Sequence, residues 1–480
     1  MTISQNPVSP DTDRLAAWPA GHELSDTEAL MWRAEADPRL RSDVVLLCLL
    51  DRSPEADRLA AALAAHVRAV PRFRQRVVDD PLRLSRPRWQ QTQVDLGYHL
   101  TRCQLPSGGG EAELLELAAA LHMAPFDPAR PLWQAVLVEG LPEGNGSDSS
   151  ERGTSEGDKG TTGRAAYLLK LHHAITDGAW GVALFDMLLA AGPEPSDEPV
   201  LPTIDAATPL PERTESVRAV AGLVLDGAAL AVRTLTRPAD AVAYVRSLRR
   251  VLNVPGTPSP LLSRRGLARR LRILECRLDD LRAAAKAAGG SLNDVYLAAL
   301  LGGLGHYHAK NGAPVGDVPV ALPVSTRKPD DKCGGNKFTA AYLAGPVGEA
   351  DPLRRVALVR ERVRAVREEP ALDFVGATAP LLSRLPAAVL APISLSMAGR
   401  LALQASNVPG LTRPAYLAGA RIERMYPFGP VPGCAIMAVM LTHAGTCCIT
   451  LATDNDAVSD PDLLLDCVRQ GFDEILALGR

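Results

Sequence analysis

Two adjacent histidines, His172 and His173, are followed four residues on by Asp177 and Gly178, in the pattern H-H-x-x-x-D-G. A neutral imidazole with an ordinary pKa of about 6.5 can take a proton near neutral pH and return it. General-base help of this kind is typically worth ~10²–10⁴ in rate. The apolar run AYLLKL before the pair reads as a strand, and AWGVALFDMLLA after Asp177 reads as a helix. The polar groups therefore stand at a strand-to-helix junction, where functional sites collect. Successive residues of a strand face opposite ways. His172 and His173 cannot easily grip one metal ion together, so one faces a cavity and the other packs inward. That favours a single histidine base over a metal site, and no metal is expected. The competing reading of such a pair is two core histidines satisfied by packing. Asp177 can orient the loop, cap the helix or pair with an arginine.

The elements around this segment follow from periodicity. Ser25 and Glu28 have capping-box spacing, and residues 55–69 form an amphipathic helix. A strand is expected at Trp133–Val138 and another at Ala166–Leu171, flanking a Gly-, Ser- and charge-rich insertion at 142–164. The nucleophile-elbow pattern at Gly153–Gly157 falls inside that insertion, without the strand and helix its chemistry needs. A Pro-rich stretch at 191–214 reads as an interdomain linker. Helices are expected at 215–250, 291–304 and 351–368, and strands at Ala435–Leu441 and Cys448–Ala452. The basic run 264–272 reads as a solvated helix face or a set of interdomain salt bridges. Helices and strands interleave, so the class is α/β or α+β.

Composition narrows the function classes. The 480 residues carry 52 Lys and Arg against 55 Asp and Glu, a net charge of -3, which speaks against a nucleic-acid binder. Eight cysteines without a C-x-x-C pair fit a reducing compartment. The first residues lack the apolar core of a signal peptide. No apolar run reaches the ~18 residues of a membrane span. The uncharged run Leu385–Gly399, interrupted by Pro386 and Pro392, reads as a greasy surface element. A cytoplasmic protein that touches membranes is the expectation.

Several segments together resemble the bacterial wax ester synthase/diacylglycerol acyltransferase family, within the coenzyme-A-dependent acyltransferase superfamily. The H-H-x-x-x-D-G segment is similar to the superfamily's active-site motif. Pro131-Leu132-Trp133 resembles the family's P-L-W motif, Asn293-Asp294 its N-D motif, and Asn407-Val408-Pro409-Gly410 its N-V-P-G-P motif. The segments 321–327 (ALPVSTR), 334–337 (GGNK) and 416–422 (YLAGARI) also look like that family. All occur in the family's order, over roughly residues 23–478. Leu411 stands where the family usually has Pro, and Thr442-His443-Ala444-Gly445 where Ser-Tyr-x-Gly is expected. These departures bear on substrate preference and leave the active-site motif whole. Condensation domains of peptide synthetases share the superfamily, but no D-F-G-W-G-like segment occurs near the C-terminus.

The resemblance implies an α/β fold of two chloramphenicol-acetyltransferase-like domains, each a mixed sheet flanked by helices, with the site in a channel between them. The division would run as a flexible tail 1–23, an N-terminal domain 24–190, the linker 191–214 and a C-terminal domain 215–480. It implies direct acyl transfer from coenzyme A to a hydroxyl, with acyl-coenzyme A as substrate, no cofactor, and diacylglycerol or a long-chain alcohol as acceptor. His173 would be the base and His172 its support. Asp177 would be structural, with Arg327 as its partner. Asn293 is the candidate donor to the oxyanion, or else a structural residue. Asp294 is the capping partner of Ser291. Gly178 closes the motif, Trp133 packs near the site, and Asn407, Pro409 and Gly410 form a rigid turn. Peripheral contact with a membrane or lipid droplet is a further implication, with no nucleic-acid partner and no secretion. Two alternatives remain at this stage. One is a related acyltransferase with a non-lipid or carrier-bound acceptor. The other is a catalytically silent protein that coats lipid droplets.

Overall fold

The computed structural model describes residues 22–79, 85–142, 163–190, 192, 247, 254–325, 336, 338–369, 378–380, 382–430 and 432–480. Arg327, nearly all of the tail, insertion and linker, and the helix expected at 215–250 except Ser247 lie outside them.

Helix α1 (Asp26–Ala34) opens the described chain, and the Ser25–Glu28 capping box is formed. Strand β1 (Asp43–Leu50) and helix α2 (Ala56–Ala69) follow, the helix burying Leu59, Leu63, His66 and Val67 on one face. Then come β2 (Gln75–Val78), β3 (Arg88–Gln91), the short α3 (Leu96–His99), β4 (Leu100–Gln104), α4 (Glu111–Met123), β5 (Trp133–Leu141), β6 (Arg164–His172) and α5 (Gly178–Asp186). Beyond residue 254 lie β7 (Arg269–Arg277), α6 (Leu278–Ala287), α7 (Leu292–Lys310), β8 (Asp317–Ser325), β9 (Phe338–Pro346), α8 (Pro352–Arg367), α9 (Ala387–Ala398), β10 (Leu403–Val408), β11 (Tyr416–Leu417), β12 (Ala420–Phe428), β13 (Ile436–His443), β14 (Thr446–Asp454) and α10 (Pro461–Ala477). The basic run 264–272 is not a helix: residues 264–268 are a loop and 269–272 open β7. Its Arg269 reaches the buried Asp454 carboxylate, and Arg265 caps the carbonyls of Gly399, Leu401 and Gly433.

Two six-stranded mixed sheets result, ordered β11-β12-β1-β6-β5-β4 and β7-β14-β13-β10-β8-β9. Strand β6 lies between β1 and β5, both antiparallel to it, and everything after Arg164 on it is buried. Buried on both faces, it reads as a nearly unbroken apolar run. The sheets do not follow a chain division at 191–214. Residues 416–428 cross back as β11 and β12, and β12 pairs antiparallel with β1, Val45 opposite Phe428 and Leu47 opposite Tyr426. The first sheet therefore needs a strand from the C-terminal half, because β1 would otherwise be an open edge.

One core packs the first sheet against α1, α2 and α5, and another packs α6, α7, α8 and α10 against the second sheet. A third lies between the sheets. It joins Val45, Leu47, Ala166 and Leu168 of the first to Leu271, Ile273, Val439 and Cys448 of the second, with Leu114, Leu115 and Ala118 of α4 among them. The halves share a continuous apolar interior there, which resists sliding and fixes groups across the seam. Among the described residues no helix is long and apolar enough to cross a membrane.

Candidate active site

His172 ends β6, and His173 is the first residue beyond it. The backbone is tethered on both sides. His172 N–H donates to the Leu132 carbonyl at 3.0 Å, and His173 N–H donates to the Ser42 carbonyl at 2.8 Å. The first bond gives Pro131-Leu132-Trp133 a local structural role, because its middle residue pins the strand end that carries the histidines. Trp133 is fully buried, donates its indole N–H to the Phe73 carbonyl at 3.0 Å and stacks on His99.

The two imidazoles go to different environments. His172 is 1% exposed, and its Nε2 lies 2.7 Å from Glu35 Oε1. Its Nδ1 accepts the Ala174 N–H at 3.0 Å, which shapes the turn after His173. Since Nδ1 accepts, Nε2 carries the proton that goes to Glu35. Burial works against a charge on His172, but the carboxylates of Glu35 and Asp43 outweigh it and raise its pKa. Behind this pair, Lys170 Nζ lies 3.0 Å from Asp43 Oδ2, both fully buried. Glu35, Asp43 and His172 bring three potential ligand atoms within 4.8 Å of one another. The same atoms are engaged with one another and with Lys170: Glu35 Oε1 accepts from His172 Nε2, and Asp43 Oδ2 faces the ammonium. Together they form a buried charge network beneath the active strand.

His173 is half-buried and lies at the seam of the two halves. Its Nδ1 lies 2.6 Å from Oδ1 of Asn336, which comes just before β9 of the second sheet. The Phe338 ring is edge-on to it at 5.4 Å. Its Nε2 makes no hydrogen bond to a described residue. Burial lowers the His173 pKa below 6.5, reinforced by the neighbouring His172 and opposed by Asp177 and by the hydrogen bond to Asn336. The imidazole is therefore neutral at neutral pH.

Asp177 is the N-cap of α5, accepting the Trp180 N–H at 3.2 Å. It holds the junction and acts on His173 through its charge. Gly178 packs close to β10, and a Cβ there would meet Val408 Cγ2 at a tight 3.2 Å. Asn407 and Val408 close β10, in parallel register with Met440 and Leu441. After Pro409, a Cβ on Gly410 would fall 1.9 Å from the Thr442 carbonyl, so only glycine fits. This turn thus seats Val408 against the helix that follows the histidines. Leu411 is buried in the first-half core, and His443 donates from Nε2 to the Ile422 carbonyl, away from the His173 group.

Asn293 is the second residue of α7 and half-buried. Among the described residues no hydrogen bond joins it to the His173 group. Asp294 completes the capping box with Ser291, its Oδ2 accepting the Ser291 N–H at 2.8 Å. Two residues at the site carried no role in the sequence reading. Asn336 lies in the family-like segment 334–337, and Glu28 was visible only as a capping residue. The Glu28 Oε1 accepts the Asn336 backbone N–H at 3.1 Å.

The model of the wax ester synthase/diacylglycerol acyltransferase catalytic domain matches residues 24–146 and 156–296. The C-terminal domain model of the same family matches residues 334–476. A Mycobacterium tuberculosis protein that is itself only inferred to be a diacylglycerol O-acyltransferase is 40% identical over 471 residues, covering 95% of this chain and 92% of that protein. A second from the same organism, named in the same way, is 28% identical over 505 residues, 98% of this chain and 91% of its own length. The wax ester synthase/diacylglycerol acyltransferase from Marinobacter aquaeolei superposes with a TM-score of 0.61 at 22% identity, over 95% of this chain and all of that one. The starter condensation domain of rhizomide synthetase, solved with a C8-coenzyme A, gives 0.56 at 14% identity over 95% of this chain and 94% of that one.

Proposed function

The chain belongs to the wax ester synthase/diacylglycerol acyltransferase family, and from that premise we propose that it moves a fatty acyl group from coenzyme A to diacylglycerol, or to a long-chain alcohol, with His173 as general base. The observation that carries the assignment of the base is the neutral, half-buried imidazole at the seam, engaged through Nδ1 and unengaged at Nε2 among the described residues. As the acceptor oxygen attacks the thioester carbonyl, its proton passes to Nε2. The C–S bond of the tetrahedral intermediate then breaks, and the imidazolium returns that proton to the coenzyme A thiolate. No serine or cysteine acyl-enzyme is needed.

Release of free coenzyme A thiol tests the reading. Palmitoyl-coenzyme A is supplied with dioleoylglycerol and then with hexadecanol, and the better acceptor names the product. Thiol release independent of both acceptors would be hydrolysis and would count against acyl transfer to either. No release with either acceptor would move the function to another acceptor or to the silent lipid-coat reading. The sign of the pH dependence is also set. A base must be unprotonated, so kcat/KM falls on the acid side through the His173 pKa. With that pKa lowered, the acid limb has its midpoint below 6.5. A midpoint above 6.5 would count against His173.

A lipid acceptor has to reach the protein from a lipid phase, and helix α9 supports a place for that contact. It carries no charge, and Val389 and Ile393 stand 45% and 46% exposed on its outer face. Leu267, 54% exposed, lies across a cleft of about 560 Å³ that Arg39, Arg265 and Pro392 also line. Arg39 is paired there with Asp37 at 2.6 Å, so it is the exposed apolar surface that fits a lipid interface. Co-sedimentation with vesicles of phosphatidylglycerol and dioleoylglycerol should fall several-fold in V389S/I393S, and unchanged binding would remove this face from consideration.

A further inference from the structure

The orientation of one amide determines which nitrogen of His173 bears its proton. Asn336 Nδ2 lies 2.7 Å from the His173 carbonyl oxygen and 3.3 Å from Glu28 Oε1. A carbonyl and a carboxylate only accept, so both positions require the NH2 end of the amide. The opposite end, Oδ1, is then the atom 2.6 Å from His173 Nδ1. An amide oxygen also only accepts, so that contact is a hydrogen bond only if Nδ1 carries the proton. Nε2 is left with its lone pair.

Glu28 locks the arrangement from behind. Its Oε1 takes both the backbone and the side-chain N–H of Asn336, and its Oε2 takes the Ser25 N–H at 2.8 Å as part of the α1 capping box. Both Glu28 and Asn336 are buried. A flip of the amide would set Oδ1 against Glu28 and against the His173 carbonyl, placing acceptors against acceptors in a buried site, at an unfavourable cost. The three residues come from α1, the β6–α5 turn and the chain before β9. The relay therefore spans both halves of the molecule.

Resting on the general-base reading above, we propose that Asn336 and Glu28 are positioning residues that hold the His173 proton on Nδ1, so that Nε2 is available to the acceptor hydroxyl. Neither touches substrate. The precedent in principle is the carboxylate of a serine-protease triad, whose exchange for an amide leaves geometry intact but installs the wrong tautomer, at ~10⁴ in kcat. Here the partner is a neutral amide, and by analogy with partners that orient metal-bound histidines a contribution of ~10–100-fold is expected.

Long-range ¹⁵N–¹H correlation spectra of ¹⁵N-histidine-labelled full-length protein report which ring nitrogen is protonated, whether or not the protein turns over. The His173 signals are assigned by their loss in His173→Ala. Wild type should show a protonated Nδ1 and a bare Nε2. Asn336→Ala should shift the population toward Nε2–H and lower kcat ~10–100-fold with KM little changed. Glu28→Gln keeps the shape but gives one end of the side chain donors, so it cannot accept from Asn336 and Ser25 at both ends. It should show the same loss in smaller measure. Asn336→Asp keeps an acceptor for Nδ1–H, so the tautomer should persist more than in Asn336→Ala, although its second oxygen then faces the acceptors of Glu28 and of the His173 carbonyl. The added negative charge joins that of Asp177 beside His173, so the acid limb of the pH profile should move upward. An unaltered tautomer in both Asn336→Ala and Glu28→Gln overturns the proposal. A pinned wild-type tautomer in a protein without acyl transfer would tell against the proposed reaction and leave the relay standing.

Discussion

His173→Ala is expected to lower acceptor-dependent coenzyme A release by ~10²–10⁴ while leaving the fold intact. The ring is half-buried and meets its neighbours through one hydrogen bond to Asn336 and one edge contact with Phe338. Its backbone N–H bond to Ser42 survives truncation. The variant should therefore unfold close to wild type, and the loss should fall on kcat, not on KM for acyl-coenzyme A. His172→Ala should behave differently. It strips one of two partners from the half-buried Glu35 carboxylate, which keeps the Ser42 N–H, and removes the acceptor of the Ala174 N–H. Its defect should appear first in stability and only then in rate. A His173→Ala protein within threefold of wild-type turnover would remove general-base catalysis by this residue from the mechanism.

What could be read without coordinates was what is written locally. The apolar run up to His172, the turn and the capping aspartate are contiguous, so strand, turn and helix follow from period and composition. Ser25–Glu28 and Ser291–Asp294 were visible as capping boxes because capping is a three-residue affair. The charge network and the relay were not visible. Glu35 meets His172 from 137 residues away, Asn336 meets His173 from 163, and Glu28 meets Asn336 from 308. No local pattern marks such partners, and Glu28 looked fully explained by its cap. The return of residues 416–428 to the first sheet was hidden for the same reason, since a strand's sequence shows its two faces but not its neighbour. The basic run 264–272 misled because strand β7 alternates arginines with buried Leu271 and Ile273, and charge dominated the reading.

Lys170→Met is expected to cost ~3–5 kcal/mol, because it leaves a buried carboxylate without its cation. Lys170 is fully buried, its ammonium 3.0 Å from Asp43 Oδ2 and 4.3 Å from the centre of the Phe126 ring. Asp43 is 2% exposed, and its Oδ1 has no hydrogen-bond partner among the described residues. Burial already holds the Asp43 pKa up, against the pull of Lys170 and His172. Removing Lys170 takes away the largest of those opposing charges, so the carboxyl rises further and takes up a proton in the folded state. An acid whose folded pKa lies above its unfolded value loses stability as pH climbs from the unfolded pKa, ~3.9, toward the folded one. The first unfolding transition in urea should thus be lower for Lys170→Met than for wild type at pH 8, with the gap narrowing at pH 5. The double variant K170M/D43L should recover most of the loss, since an apolar pair carries no uncompensated charge. If the single variant unfolds within ~1 kcal/mol of wild type at both pH values, the carboxylate has another source of stabilisation and the ion pair is not what supports the strand beneath His173.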